Sequence, residues 1–243
     1  VIEFKNLRKS FGEREILKGL NLSIRKGEIL FILGTSGTGK SVTLKLIVGL
    51  LKATSGEIWI DGVNVTHYSE EQYREVRKRC GMVFQHPALF DSLSIYDNVA
   101  FGLRKSLRLP EEEISERVKR GLELVYVRGI EGKLPQEISY GTQKRVSLAR
   151  TVALEPEILL FDEPTTGLDP ITTTAVNHLI QELSRKLKTT SIVVSHDMSC
   201  ALEIADRIVV LDKGEIIAQG SPKEIMAHPH PLVKDFMAEV VNG

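Results

Sequence analysis

The sequence predicts an α/β fold in which buried strands carry polar residues at their carboxyl ends. Three observations predict it. Glu28 to Lys45, reading EILFILGTSGTGKSVTLK, passes from the apolar run Ile29 to Leu33 through a glycine-rich stretch into apolar residues at helical spacing, Leu44, Leu46, Ile47 and Leu50. The runs Ile158 to Phe161 and Ser191 to Val194 each stop at a polar triplet, Asp162-Glu163-Pro164 and Ser195-His196-Asp197. Shorter alternating runs, Ile2 to Leu7, Leu20 to Ile24 and Glu57 to Ile60, read as half-exposed strands of a small antiparallel sheet beside the main one.

Each element follows from local signals. Lys26-Gly27 turns the chain into the strand before the glycine loop, and Phe11, between Ser10 and Gly12, falls in a loop, either to stack on a purine or to plug the edge of the core. Asp61-Gly62 closes a hairpin. A polar helix over Glu70 to Arg79 leads into a short strand, Gly81 to Phe84, that ends at Gln85. From His86 to Asn98 the chain reads as a loop bearing Leu89, Phe90, Leu93 and Ile95, and residues 95 to 126 read as helical, with Pro110 followed by three acids as a start signal. Further helices are read from Thr142, carrying Lys144, Arg145 and Arg150, and over Thr172 to Lys186. Arg207 to Gln219 reads as a hairpin, and Ser221-Pro222-Lys223-Glu224 caps a final helix. No repeat or linker interrupts the chain, so residues 1–243 read as one folded unit with a helical insert near 87–150 and a helical tail near 231–243.

Composition narrows the function. Lys plus Arg and Asp plus Glu both total 32 of 243 residues, and this balance argues against a nucleic-acid binder that works by neutralising phosphates. The two cysteines, Cys80 and Cys200, lie in no metal-ligand spacing and fit a reduced, cytosolic compartment. No secretory signal pattern is read at the start, and no apolar run approaches the roughly 20 residues of a membrane span, so any membrane role is expected to be peripheral.

The glycine loop carries the strongest chemistry. A polyphosphate needs many donors converging on a small volume, and a tight loop opening a helix turns its free N–H groups inward. Gly34, Thr35, Ser36, Gly37, Thr38, Gly39, Lys40, Ser41 and Val42 supply that loop and helix start, with Lys40 able to reach the β- and γ-phosphates and the Ser41 hydroxyl able to hold Mg²⁺. Asp162, at a strand tip, can hold the same ion through water. Glu163 is placed to orient or deprotonate an attacking water, and His196 to contact the γ-phosphate. His228 and His230 are spaced like a metal pair, but the intervening prolines extend the segment and no third ligand is near in sequence.

The chain resembles the ATPase subunits of ABC transporters over essentially its whole length. The resemblance rests on Walker A at Gly34 to Ser41, a Q-loop at Gln85, a signature at Ser139-Tyr140-Gly141-Thr142-Gln143, Walker B at Ile158 to Asp162 with Glu163, a D-loop ending Gly167-Leu168-Asp169, and a switch histidine at His196. It implies a P-loop NTPase core with an antiparallel β subdomain and a helical signature subdomain. It also implies a homodimer sandwiching two ATP with Mg²⁺ on integral membrane permease subunits at the cytoplasmic face of the inner membrane, with no nucleic-acid partner. By this resemblance Ser139, Gly141 and Asp169 face the partner's nucleotide, Gln85 joins Ser41 and Asp162 at the metal, Phe11 stacks on adenine, and the loop from Pro87 to Ile95 meets the permease.

One departure stands out. The family's usual LSGGQ is here Ile138-Ser139-Tyr140-Gly141-Thr142, with Tyr140 where a glycine normally allows close backbone approach. The strings Arg77 to Gln85, Pro87 to Asp91, Asp169 to Thr172 and His230 to Phe236 look most like the lipid-trafficking Mla/Mce-type ATPases, although amino-acid importers share much of them. Leu232, Phe236, Met237 and Val240 give the tail one apolar helical face. That face either packs on the chain's own core or docks on a second copy or an accessory subunit.

Overall fold

A computed structural model describes Val1–Asn242; Gly243, the end of the tail read as helical, lies outside the described residues. In chain order the elements are β1 (Ile2–Phe11), β2 (Arg14–Ile24), β3 (Ile29–Leu33), α1 (Lys40–Ile47), β4 (Ser55–Ile60), β5 (Val63–Asn64), α2 (Glu70–Arg79) and β6 (Cys80–Val83). They continue as α3 (Ile95–Gly102), α4 (Glu111–Leu124), α5 (Tyr140–Val152), β7 (Ile158–Asp162), α6 (Pro170–Leu187), β8 (Thr190–Ser195), α7 (Met198–Ile204), β9 (Arg207–Asp212), β10 (Glu215–Gly220), α8 (Pro222–Met226) and α9 (Pro231–Asn242). Two compact units divide the chain.

The first unit joins Val1–Arg77 to the chain from Thr189 onward. Its antiparallel sheet runs in the order β2-β1-β4-β5, and its inward residues Ile2, Phe4, Leu7, Leu17, Ile24 and Ile58 are all buried. Phe11 does not lie in a loop: it is the last residue of β1 and pairs with Arg14 across a turn in which Gly12 takes φ +58°. The strand reaches past Leu7 because register shifts around residues 4 to 10 break the strict alternation that marks a strand in sequence. Beside this sheet lie β3, β8 and β9. β3 pairs in parallel with both β8 and β9, and β10 returns antiparallel on β9. All of β3 and β8 is buried, which accounts for the apolar runs Ile29–Leu33 and Ile192–Val194 within them.

The helix capped by Ser221 is not the last one. α8 is opened by a reciprocal Ser221–Glu224 capping box, and α9 follows it. Val233 and Phe236 of α9 are buried where it packs against α7 and α8, so this part of the tail's apolar face serves the chain's own core. His228 and His230 start the tail as side-chain acceptors: their Nδ1 atoms take the backbone N–H of His230 at 3.3 Å and of Leu232 at 3.2 Å. Among the described residues no group of metal-ligating side chains forms.

The second unit, Lys78–Lys188, holds the parallel pair β6 and β7 together with α3 to α6. The stretch read as helical over 95–126 is broken. α3 ends at Gly102, a single π turn covers Leu103–Leu107, Arg108 takes the left-handed region at φ +53°, and Pro110 caps α4. Proline bars its predecessor from helical geometry, so the chain must unwind before it can begin again. α5 starts two residues before the expected Thr142, because the Ser139 hydroxyl accepts the Thr142 N–H and caps it.

Candidate nucleotide-binding site

The glycine loop leaves β3 and turns into α1 at Gly39, whose φ of +103° no side-chain-bearing residue adopts without strain. A Cβ there would stand 2.6 Å from Leu17 Cδ2, and one on Gly34 would stand 2.5 Å from the Leu211 carbonyl. Bare backbone is therefore required on both sides of the loop. Gly39 offers α1 no side-chain cap, so that helix start presents its backbone donors along with the loop. Lys40 is buried, and its ammonium donates to the carbonyls of Gly34 at 2.7 Å and Thr35 at 3.0 Å. This holds a positive charge inside the curve of the loop. Thr38 Oγ1 donates to Thr35 O at 2.9 Å and fixes the turn between them.

The register of the same unit brings in His196. Leu33 of β3 lies opposite Ser195 of β8, so Gly34 and His196 leave the sheet at one edge, as α/β sheets place their ligand sites. His196 is exposed there, while Ser195 Oγ accepts the Asp197 N–H and the Asp197 carboxylate caps α7. Phe11 is 47% exposed, with Lys9 Nζ 4.7 Å from its ring centre. A core plug is thereby excluded, and a surface available for stacking remains.

In the second unit Val83 of β6 pairs with Phe161 of β7, so Gln85 and the Asp162-Glu163 pair also emerge from one sheet edge. Gln85 is exposed and both carboxylates are half-buried. Glu163 sits at φ +50°, a position that non-glycine residues seldom hold, and its Oε2 accepts from Thr166 Oγ1 at 3.3 Å. Ser41 and Asp162 provide oxygen donors of the kind Mg²⁺ prefers.

The signature lies at the start of α5. Ser139 is exposed, and its Oγ lies 2.9 Å from Thr142 Oγ1. Tyr140 is 37% exposed and stands beside Gly167, at which a Cβ would meet its ring at 3.7 Å. A Cβ on Gly141 would come within 3.1 Å of Thr172. Asp169 caps α6 through Thr172, whose hydroxyl and amide hold the carboxyl below the usual carboxylate range.

Sequence reasoning had named Lys144 and Arg150 only as cations on a helix. Lys144 is 4% exposed and donates to the Gln85 carbonyl, while Arg150 donates to Pro87 O at 3.2 Å and Ala88 O at 2.8 Å. Burial pushes the Lys144 amine down to about 8. The available signal was a Lys-Arg pair directly before Val146, in a helix whose residues 146, 148 and 149 are apolar.

A strand, a glycine loop, a buried loop lysine and polar residues at the strand tips define a nucleotide-binding P-loop protein. The comparisons narrow it further: residues 17–166 match the ABC transporter family. The chain belongs to that family, as an ATP-hydrolysing member of it. It is 43% identical over 243 residues to the intermembrane phospholipid transport system ATP-binding protein MlaF of Haemophilus influenzae, covering all of this chain and 92% of that one. It is 40% identical over 246 residues to the methionine import ATP-binding protein MetN of Carboxydothermus hydrogenoformans, covering all of this chain and 73% of the relative. A solved dimer of an ATP-binding cassette, in a post-hydrolysis state bound to ADP and Pi, superposes with a TM-score of 0.83 at 32% identity, over 91% of this chain and 99% of that one.

Proposed function

We propose that the chain is the ATP-hydrolysing subunit of a membrane complex that moves phospholipid across or between membranes. In this reading two copies enclose two ATP, attached to integral permease subunits at the cytoplasmic face of the plasma membrane. The observation that supports a phospholipid cargo is the similarity to the phospholipid-transport ATP-binding protein MlaF of two organisms, at 43% and 39% identity over 243 residues. No helix among the described residues is long and apolar enough to cross a membrane. Phe90, exposed and tilted against Phe101 with ring centres 4.7 Å apart, offers the permease subunits an apolar face together with Leu89.

The loop residues Gly34 to Val42 bind the phosphates through backbone N–H groups, with the Lys40 ammonium moving from its carbonyls to the β- and γ-phosphates. Phe11 stacks on the adenine. Ser41, Asp162 and Gln85 would hold Mg²⁺, which when bound neutralises phosphate charge. Glu163 takes the proton of the attacking water or orients it, and His196 donates to the γ-phosphate oxygens. Ser139, Gly141 and Asp169 meet the nucleotide held by the other copy.

The small-solute alternative is favoured by the matches to importers of methionine, Fe(3+) ions and sulfate or thiosulfate, at 40–43% identity. The two separate in one experiment: the complex isolated from its native membrane through a tag on this chain, reconstituted into vesicles holding labelled phospholipid and, in parallel, labelled methionine. ATP-dependent phospholipid movement is expected. Methionine uptake with phospholipid left in place would refute the lipid reading.

A further inference from the structure

The hydrolysis reading gives no task to the side chains that α5 sends toward the segment after β6. All four residues from Gln85 to Ala88 are touched by that one helix. Lys144 Nζ donates to the Gln85 carbonyl, the Tyr140 hydroxyl lies 3.4 Å from His86 Nδ1, and the two terminal nitrogens of Arg150 donate to Pro87 O and Ala88 O. Tyr140 and Lys144 share a face of the helix, with Lys144 Nζ 5.6 Å from the Tyr140 ring centre. Below them Thr151 Oγ1 approaches the Met82 carbonyl at 3.5 Å, and a Cβ on Gly81 would stand 2.5 Å from Thr151 Cγ2. The helix is thus fitted to β6 as well as to the loop that continues it.

Two features show that this loop is held rather than merely adjacent. An amine as buried as Lys144 is costly unless it is bonded, and it donates to the Gln85 carbonyl. Ala88 takes φ +49°, which a residue with a side chain keeps only where its surroundings enforce it, and its carbonyl is the one Arg150 grips at 2.8 Å. Tyr140, at the glycine position of the signature, adds a contact on His86 that glycine could not make.

We propose that Lys144, seconded by Arg150 and Tyr140, is a positioning residue that locks the Gln85 segment to the signature helix, so that Gln85 and Ser139 shift as one piece. The proposal rests on the ATPase reading for its consequence, but the lock itself does not. Any displacement of the Ser139 end when a nucleotide is engaged would be carried to the Gln85 backbone through a direct bond instead of through a flexible loop.

The test uses the full chain with Lys144→Met and Lys144→Arg, read by two measurements. Hydrogen exchange of the amides of residues 85–89 is expected to quicken at least about fivefold in Lys144→Met and to stay near wild type in Lys144→Arg, since local opening is what exchange reports. In steady-state turnover kcat is expected to fall about tenfold in Lys144→Met with KM for ATP within about twofold, and Lys144→Arg to recover most of the loss. Wild-type exchange in Lys144→Met would overturn the lock, and so would a lowered melting temperature with kcat per folded molecule unchanged. A wild-type chain that hydrolyses no ATP would sink the ATPase reading, while the exchange comparison would still decide the lock. If Lys144→Met does not fold, Arg150→Met, at a half-exposed position, is judged by the same two measurements and the same outcomes.

Discussion

Replacing Gly39 by alanine tests the loop geometry at its most demanding point. Two costs are expected. Holding a residue with a Cβ at positive φ costs roughly 1–2 kcal/mol, and the Gly39 φ of +103° lies beyond the ordinary left-handed region. The new methyl would also stand 2.6 Å from Leu17 Cδ2 and 3.2 Å from Ile16 Cγ2, and Leu17 is fully buried. Overpacking of this kind typically costs about 1–3 kcal/mol. The loss in unfolding free energy should therefore be about 2–5 kcal/mol. Gly12→Ala is the matched control: φ is +58° there and nothing lies within 4 Å of the added carbon, so only the first cost applies. Urea unfolding of both variants separates strain from clash. ATP affinity should drop at least about tenfold in Gly39→Ala alone, equivalent to about 1.4 kcal/mol, because the donors at the start of α1 are displaced. If the two variants unfold within about 0.5 kcal/mol of each other, the spread usual for mutations away from special sites, and bind ATP alike, the account of the loop is wrong.

Two further outcomes follow from packing and charge. Deleting residues 232–243 uncovers the surface of α7 and α8 that Val233 and Phe236 bury, and should lower stability by up to roughly 3–6 kcal/mol at about 1.5–3 per buried side chain; unchanged unfolding would mean that α9 is a detachable docking element. Asp97 is held below the ordinary carboxylate range chiefly by its bond to Arg104, then by Ser94. Its lowered folded-state value means that the stability it adds is present at neutral pH and is lost as the pH falls through and below the usual Asp range. Asp97→Asn should accordingly flatten the acid limb of the stability curve without changing its slope above pH of about 6, and an identical acid limb in both proteins would contradict the assignment.

The parts legible in the sequence were those whose chemistry is local. The glycine spacing of residues 34 to 41 announces a loop because φ values of +79° at Gly37 and +103° at Gly39 demand glycine wherever such a loop occurs. α2 was placed at its observed ends, Glu70 and Arg79, by a polar helix-forming run before a strand. β3 and β7 stood out because burial on both faces leaves them apolar throughout, up to the half-buried Asp162 that ends β7. The parts that were missed depend on distant partners or on backbone that composition does not encode. The break at 103–110 turns on a π turn and a left-handed Arg108 inside a stretch whose apolar spacing still looks helical. The bond from Lys144 to Gln85 spans 59 residues, and nothing in either neighbourhood names the other. Phe11 shows the same limit: its place at a strand end and its exposure, which decide between stacking and core, are set by a register shifted by bulges.

The central claim is that this chain hydrolyses ATP with Lys40 on the phosphates and Glu163 acting on water, in a dimer closed over the nucleotide. It is tested most directly by Glu163→Gln, incubated with ATP and Mg²⁺ and examined together for phosphate release and for mass by light scattering. The account predicts that turnover falls by at least about a hundredfold, as expected for loss of a general base, while ATP stays bound and the protein runs as a dimer that disperses when Lys40→Ala is added to the same chain. A Glu163→Gln protein that remains monomeric with ATP and releases phosphate at the wild-type rate would contradict it.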